Sequence, residues 1–438
     1  MTFISLRRAA RLLLPALLAA MLAACGGDDD DGEASVRLVN ATADAASLDL
    51  TVENDDDDDA DEARFTGDVA RDAQSDYQTL ADGTYTLRVK RAGASSSLAV
   101  AVSTLEKDQR YTLFAYGREG NYRLYTALDD EDEPSSGKAR VRVFNAAADA
   151  GTVDVYLTNA HDSLADALAT ASNVAGQTLG TYGTVDQGTY RIRVTGVNDR
   201  DDIRLDVPAI ELADRARVTI VLQPGPGGVL VNALVSQYQG ELSAWKNTHA
   251  RVRLVAGASG NAAVTAAVGD TPLNNALRSP SVGSYALVPA GTAAASIEIN
   301  NAALAFSGQV TLAAGGDYTL AVYGDAAAPV WRLIADDNRP PASNERAKMR
   351  LLHMAAGADT NLTLLKDYLG IANDVAYGNA STYAEVASSA SSRVEVTSPL
   401  SAVPLFLNDE VPLSGRGVFT VFMLGGAASP TGILRRER

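Results

Sequence analysis

The chain has 438 residues, of which 46% are hydrophobic and 6% aromatic, and its formal net charge is −17. A chain of this length can bury several hydrophobic cores. The acidic balance repels phosphate backbones and anionic headgroups, which argues against nucleic acid as a partner. The single cysteine excludes disulfides within the chain, so each domain must be stabilised by its apolar core.

The first 24 residues are arranged like a bacterial signal peptide. Arg7, Arg8 and Arg11 precede an apolar run at 12–24, which is too short to span a bilayer as a stable helix. The run ends in Leu22-Ala23-Ala24 before Cys25. This ending resembles the lipobox of bacterial lipoproteins, and the resemblance implies cleavage before Cys25 and a diacylglycerol on its sulfur. The alternative is a secreted protein with a chance cysteine.

Residues 25–34 are predicted to be the lipidated cysteine and an acidic, glycine-flanked tether. Gly26 and Gly27 stand where an aspartate directly after the cysteine would resemble an inner-membrane retention signal. The sequence therefore favours anchoring in the outer membrane through lipid on Cys25. It leaves open whether the following domains face the periplasm or the cell surface.

Four segments of the chain open alike and indicate an internal repeat. Each opening places an arginine between apolar residues that alternate as in a half-buried strand. We call the segments copies 1 to 4, and their opening arginines are Arg37, Arg142, Arg253 and Arg350. In copies 1 and 2 a second strand follows, with Asp49 and Asp154 between apolar neighbours.

Two further markers recur in the same order. A tyrosine stands six residues before a glycine in three copies, and copy 4 keeps the tyrosine but has Ser389 in place of the glycine; the tyrosines are Tyr77, Tyr182, Tyr285 and Tyr383. The glycine fits a turn with positive φ. Later comes an apolar strand that begins Tyr-Thr-Leu in copies 1 and 3, at Tyr111 and Tyr318. Three markers in one order establish the repeat.

The repeats predict an all-β chain of about four small antiparallel sandwich domains, immunoglobulin-like in outline, with about seven strands each. The predicted domains are 35–128, 139–238, 250–335 and 347–438. Segments 129–137, 239–248 and 336–345 lie between the copies. The first and third are charged or contain Pro134, Pro340 and Pro341, and they are interpreted as linkers. Short helices are predicted at 162–171 and 361–371.

The opening at Arg140–Ala150 and the strand Val153-Asp154-Val155-Tyr156 resemble a bacterial family called domain of unknown function 4397. Family members commonly have histidine where this chain has Asn40, Asn145, Ala256 and His353. The likeness is clearest in copies 1 and 2 and weaker in copies 3 and 4. It implies a tandem β-domain protein of the cell envelope and brings no active site.

Residue constellations that could carry chemistry are weak in this sequence. His161, His249 and His353 occupy unrelated positions of the repeat, so a shared zinc site is not expected, and no cofactor is predicted. Ser259 lies in a glycine-containing loop but not in a nucleophile elbow. The consecutive aspartates at 55–59 lack the alternating ligands of a calcium loop and are interpreted as a solvated insertion. The glycine-rich segment 225–228 is predicted to be a hairpin turn.

The leading functional hypothesis is a non-catalytic envelope lipoprotein whose domains extend outward as a structural, adhesive or partner-binding array. Its partner would be an unknown envelope or extracellular protein or glycan. The alternative is a carbohydrate-binding lipoprotein that uses exposed tyrosines; the candidates are Tyr116, Tyr122, Tyr125 and Tyr323. An envelope hydrolase is the third hypothesis, and it requires a deep pocket with paired carboxylates or a seated histidine.

Overall fold

The computed structural model describes residues 32–57, 59–129, 132–303, 308–357, 360–426 and 430–438. The predicted signal peptide, Cys25 and most of the tether lie outside these residues. The described chain is nearly all β, with 64% of residues in strands, which confirms the predicted fold class. No helix within the described ranges is long and apolar enough to cross a membrane.

The strands fall into four groups that follow the four copies. Copy 1 contains β1 (Glu33–Thr42), β2 (Ser47–Asn54), β3 (Ala63–Ala70), β4 (Gln78–Ala81), β5 (Gly83–Arg91), β6 (Ser97–Leu105), β7 (Arg110–Gly117) and β8 (Arg123–Leu128). Copy 2 contains β9 (Lys138–Asn145), a 3-10 turn (Ala148–Ala150), β10 (Val153–Thr158), β11 (Ala171–Val174), β12 (Thr178–Leu179), β13 (Gly183–Asp186), β14 (Gly188–Gly196), β15 (Asp199–Leu212), β16 (Arg217–Pro224), β17 (Val231–Gln237) and β18 (Leu242–Trp245).

The second half of the chain repeats the pattern. Copy 3 contains β19 (His249–Ala258), β20 (Ala263–Val268), β21 (Thr271–Arg278), β22 (Ser281–Pro289), β23 (Gly291–Ile299), β24 (Ala302–Ala303), β25 (Gly308–Leu312), β26 (Asp317–Asp325) and β27 (Ala328–Asp336). Copy 4 contains β28 (Arg346–His353), β29 (Leu362–Lys366), β30 (Leu369–Val375), β31 (Asn379–Ala380), β32 (Ala384–Ala387), β33 (Ser389–Thr397), β34 (Phe406–Leu413), β35 (Val418–Leu424) and β36 (Thr431–Arg436).

Each copy is a sandwich of two sheets. In copy 1 the sheets have the strand orders β4-β1-β7-β8 and β3-β2-β5-β6, and the other copies keep this plan. The sheets are not purely antiparallel, because the opening strand of every copy runs parallel to the strand of the third marker: β1 with β7, β9 with β16, β19 with β26, and β28 with β35. Sequence alternation indicates which side chains are buried and does not indicate the direction of the neighbouring strand.

Alternation on the opening strand places side chains into two different cores. In β1, Val36 and Leu38 point into the sandwich of copy 1. Val39 and Ala41, on the other face, belong to a second buried cluster that is shared with copy 2. The opening strand is therefore buried on both faces and is not half-buried as its pattern predicted. Burial of both faces shows that the copies pack against each other.

The copies form two packed pairs, and the two contact regions are named seam 1–2 and seam 3–4. Seam 1–2 consists of Val39, Ala41, Phe114, Tyr116 and Ala127 of copy 1 with Phe144, Ala146, Val221 and Leu234 of copy 2. Seam 3–4 consists of Val255, Ala321, Tyr323 and Ile334 of copy 3 with Leu352, Met354, Phe422 and Leu424 of copy 4. An extended array in which linkers separate the domains is therefore wrong for the described chain.

The two predicted helices are also wrong. Residues 162–171 form turns that lead into β11, and residues 361–371 form the hairpin of β29 and β30. The segment 239–248 between copies 2 and 3 contains a strand, β18, that pairs with β17. Asp129 and Asp336, which begin the two predicted linkers, are 3% and 4% exposed. Charge and proline content suggested solvent-exposed linkers. The two carboxylates are buried because they meet buried arginines, and the sequence does not show these partners.

Candidate functional site: arginine clusters in the two seams

The three sequence markers converge at one place in each copy. In copy 1, Arg37 donates from Nε to Thr112 Oγ1 at 2.8 Å, and its guanidinium carbon lies 4.5 Å from the ring centroid of Tyr77. Arg37 comes from the opening strand, Tyr77 from the second marker and Thr112 from the strand of the third marker. The parallel pairing of β1 and β7 sets Arg37 directly beside Thr112.

The other copies reproduce this cluster. The matching arginine–threonine pairs are Arg142 with Thr219 at 2.9 Å, Arg253 with Thr319 at 2.9 Å and Arg350 with Thr420 at 3.4 Å. The tyrosine rings lie 4.5 to 4.6 Å from the arginines: Tyr182 on Arg142, Tyr285 on Arg253 and Tyr383 on Arg350. A guanidinium over an aromatic face is attracted by the quadrupole of the ring.

Each arginine also reaches across its seam to the neighbouring copy. In seam 1–2, Arg142 of copy 2 donates to Asp129 Oδ1 at 2.5 Å and to the Leu128 carbonyl at 2.9 Å. Arg37 of copy 1 donates in return to the Gln237 carbonyl at 2.9 Å and to Ser236 Oγ at 3.3 Å. The contacts are reciprocal, so the two copies are related by an approximate twofold arrangement.

The arginine contacts across seam 3–4 are reciprocal in the same way, and here both arginines pair with carboxylates. Arg350 of copy 4 donates to Asp336 Oδ1 and to the Ala335 carbonyl of copy 3. Arg253 of copy 3 donates to Glu437 Oε2 of copy 4 at 2.7 Å and lies 3.6 Å from Asp336. Arg253 and Arg350 are 1% and 2% exposed, so these ion pairs are almost completely removed from water.

The electrostatics of the seams favour fixed charges on the arginines and neutral phenols on the tyrosines. Burial opposes ionisation of Asp336, but Arg350 and Arg253 together hold its pKa below the ordinary value. Burial, reinforced by Asp336, raises the pKa of Tyr285 well above its ordinary value. Tyr285 therefore stays protonated and donates to Asp336 Oδ2 at 2.7 Å. Such a network stabilises one arrangement of charges in seam 3–4.

The remaining motif residues also satisfy backbone groups. Asp49 accepts hydrogen bonds from the backbone N–H groups of Asp68 and Gly93, at 2.9 and 3.0 Å. Asp154, at the matching position of copy 2, accepts from Asn173 and Asn198, at 2.8 and 2.9 Å. The aspartates of the two second strands therefore fix the turns around them.

The candidate chemical residues are not brought together. His161 is exposed, His249 is partly buried, and His353 is fully buried with Nε2 3.1 Å from the Thr360 carbonyl. Within the described ranges, no group of three or more His, Cys, Asp or Glu side chains is placed to hold a metal ion. Ser259 accepts a hydrogen bond from Ala326 N–H at 3.2 Å, which gives it a loop-stabilising role.

The tyrosines proposed as a sugar platform do not form one exposed surface. Tyr116 and Tyr125 pack on Phe144 in seam 1–2, with ring centroids 5.2 and 5.1 Å away. Tyr323 is 6% exposed and packs against Tyr377. Tyr122 donates to Asp44 at 2.6 Å. Three of these four tyrosines therefore lie in the seams, and the sequence alone gave no indication that a neighbouring copy covers them.

An open groove of about 830 Å³ lies at the edge of copy 2. The loop 159–170, which replaces the two-residue turns found at the same place in copies 3 and 4, forms one wall. Asp162 and Asp166 lie on this loop, and Asp186 of β13 and Tyr190 of β14 also line the groove. The groove was not predicted from the sequence, although the length of the loop 159–170 is visible there.

Comparison with known proteins identifies the family. A family model described as "Domain of unknown function (DUF4397)" matches residues 34–156 and 250–361, which together exceed half of the chain. The chain belongs to this family. The resemblance stated from the sequence is thereby confirmed. No match was found among curated proteins.

Solved structures show only distant likeness. The Bacillus anthracis TIE protein is 9% identical over 66% of this chain and 49% of its own, with a TM-score of 0.15, so the match spans about half of that protein. A family CBM26 module from Eubacterium rectale Amy13K, solved in complex with maltoheptaose, is 10% identical over 49% of this chain and 100% of its own, with a TM-score of 0.15. A leucine-rich repeat protein from Bacteroides thetaiotaomicron is 12% identical over 43% and 25%, with a TM-score of 0.12. These scores carry no functional argument.

Proposed function

We propose that this protein is a non-catalytic envelope lipoprotein whose four domains form two rigid pairs that present surfaces to an envelope or extracellular partner. The observation that supports this role is the location of the repeated residues in the folded chain. The arginines, tyrosines and threonines that recur in all four copies fill the seams between copies. In a catalytic site, polar groups of this kind converge on a pocket that a substrate can enter.

The proposed attachment is lipid on Cys25, with the acidic tether leading to the first strand at Glu33. One acyl chain holds a protein on a membrane only weakly, whereas several chains on one cysteine give stable anchoring. We place the anchor in the outer membrane because Gly26 follows the cysteine. Protease accessibility, described below, determines on which face of the membrane the domains lie.

The groove of copy 2 is the proposed partner surface. Its walls combine Tyr190 with the carboxylates of Asp162, Asp166 and Asp186, and Leu168 at its rim is 88% exposed. An aromatic ring beside carboxylate acceptors also suits a sugar, so carbohydrate binding is the second candidate function. In that case the sugar-binding aromatic residue is Tyr190 and not one of the four tyrosines predicted from the sequence.

Separate experiments test the anchor, the location of the domains and the partner surface. Metabolic labelling with palmitate should mark the wild-type protein and not Cys25→Ala, and protease accessibility on intact against permeabilised cells locates the domains. A soluble chain beginning at Glu33 should capture an envelope or surface component, and Asp162→Asn with Asp166→Asn should weaken capture. Asp270→Asn, at an exposed turn of copy 3, is the matched control. Absence of both labelling and capture would contradict the proposal, and glycan-array binding that depends on Tyr190 would favour the second candidate.

A further inference from the structure

A separate cavity of about 420 Å³ lies where copies 1, 2 and 3 meet. Copy 1 contributes Arg71 and Arg118, copy 2 contributes Gln223 and Lys246, and Arg339 comes from the segment after copy 3. None of these five residues belongs to the arginine clusters of the two seams. The cavity exists only when the three copies are packed together.

Basic groups exceed acidic groups around this cavity, although the whole chain is strongly acidic. Among the described residues that line the cavity, four are basic: Arg71, Arg118, Lys246 and Arg339. Three are acidic: Asp44, Asp72 and Asp149. A local excess of positive charge in a partly enclosed space attracts small anions.

The ionisation of Arg118 is consistent with this excess. Burial lowers the pKa of Arg118, and the neighbouring charges of Arg339 and Arg416 lower it further against the opposing effect of Asp337. Arg118 forms an ion pair with Asp149 and donates to the Pro340 carbonyl at 3.3 Å. Its guanidinium is therefore held in place at the cavity wall.

Gln223 supplies an independent indication of a ligand. The residue is 2% exposed, and its Nε2 donates to Asp72 Oδ1 at 2.9 Å. Its buried Oε1 accepts no hydrogen bond from the described residues. A buried acceptor without a donor costs free energy, so a donor at this wall would be stabilising. A ligand hydroxyl group is such a donor, and Asp72 beside it is a second acceptor.

We propose that the cavity binds a small anion that carries hydroxyl groups, such as a sugar phosphate or a hydroxy acid. Its charged group lies against Arg118 and Arg339, where guanidinium groups bind phosphate or carboxylate oxygens by charge-assisted hydrogen bonds. Its hydroxyl groups reach Gln223 and Asp72. The inference is independent of the lipid anchor and of the copy 2 groove, since neither contributes a residue to the cavity.

Isothermal titration calorimetry of the soluble four-copy chain at constant ionic strength tests the site, with glucose 6-phosphate, citrate, glucose and inorganic phosphate as probes. Glucose 6-phosphate or citrate should bind saturably and more tightly than glucose or inorganic phosphate. Arg118→Gln should raise the dissociation constant about tenfold, the loss expected for one charge-assisted hydrogen bond. Lys246→Gln should weaken binding without unfolding, because its side chain is 52% exposed. Arg215→Gln, whose side chain is 50% exposed outside the cavity, is the control.

Retention of wild-type affinity in both cavity variants would overturn the site, as would absence of saturable binding by all four probes. Equal affinity for inorganic phosphate and glucose 6-phosphate would overturn the hydroxyl contacts at Gln223 and Asp72. Circular dichroism of each variant confirms folding before titration. Because Cys25 and the copy 2 groove take no part, failure here leaves the proposed anchor and partner surface standing.

Discussion

Arg142 of copy 2 donates to Asp129 of copy 1 at 2.5 Å, and Tyr77 of copy 1 donates to the other oxygen of the same carboxylate at 2.7 Å. One buried carboxylate therefore completes the cluster of its own copy and binds the arginine of the next. A pair of this kind is costly to break from one side, because the remaining charge stays buried without a counter-ion.

Replacing Asp129 with asparagine should destabilise the protein by about 3–5 kcal/mol, because Arg142 would lose its buried counter-ion. Urea unfolding followed by tryptophan fluorescence and circular dichroism measures the change. Asp132→Asn, at a nearby exposed position, should leave the free energy of unfolding nearly unchanged. Equal stability of the two variants would show that the seam ion pair makes no net contribution.

Replacing Phe144 with alanine should loosen seam 1–2. Phe144 is fully buried and its ring contacts Phe114, Tyr116 and Tyr125 of copy 1, so truncation should cost about 3–5 kcal/mol. Hydrogen exchange should increase in β7 and β9. Phe419→Ala is the control, because Phe419 packs inside copy 4 and should not change exchange in copy 1. Unchanged exchange in β7 would contradict the packed pair.

Replacing Gly228 with alanine should disturb the contact between copies 2 and 3. Gly228 has φ +92°, and an added Cβ would lie 2.7 Å from the backbone nitrogen of Arg339. Gly93→Ala separates backbone strain from the steric contact of the added Cβ. Gly93 has φ +74°, but no neighbouring atom lies within 4 Å of its added Cβ. Backbone strain alone should cost about 1–2 kcal/mol, and Gly228→Ala should cost more and increase the radius of gyration. Similar losses in both variants would argue against a tight contact.

Stability should fall in acid partly through Asp337. Burial opposes its ionisation, but Arg339 and Lys348 lower its pKa from 3.8 to about 2. A lowered carboxyl pKa stabilises the folded state above the unfolded value near 3.8, and this contribution disappears as the pH falls from 3.8 towards 2. Urea unfolding at several pH values should show a shallower decline for Asp337→Asn than for wild type. Parallel declines would exclude Asp337 as a source of the acid sensitivity.

The sequence was sufficient to find the repeats, the strands of the three markers and the all-β class. Alternation around Arg37 was visible, but its burial on both faces was not, because the covering residues Gln237 and Ser236 lie about two hundred positions away. A lone arginine in an apolar strand is ordinarily interpreted as the exposed face of a half-buried sheet. Only the packed neighbour shows that this face is interior.

The wrong local predictions have a physical cause as well. Residues 361–371 contain apolar side chains at spacings that fit one face of a helix, yet Asp367 and Tyr368 adopt positive φ and reverse the chain between β29 and β30. Asp336 was assigned to a linker because acidic residues are rarely buried without partners. Its partners Arg253 and Arg350 could not be assigned to it without the arrangement of copies 3 and 4.

The reciprocal seams have a consequence for how such chains can change in length. A copy without its neighbour would expose its opening arginine, the facing threonine and an apolar sheet surface, such as that around Phe144. Gain or loss of one copy would therefore expose an apolar face that carries a charge, whereas gain or loss of two copies that share a seam would not. Copies should therefore be gained or lost as seam-sharing pairs, and tandem duplication should give chains with an even number of copies.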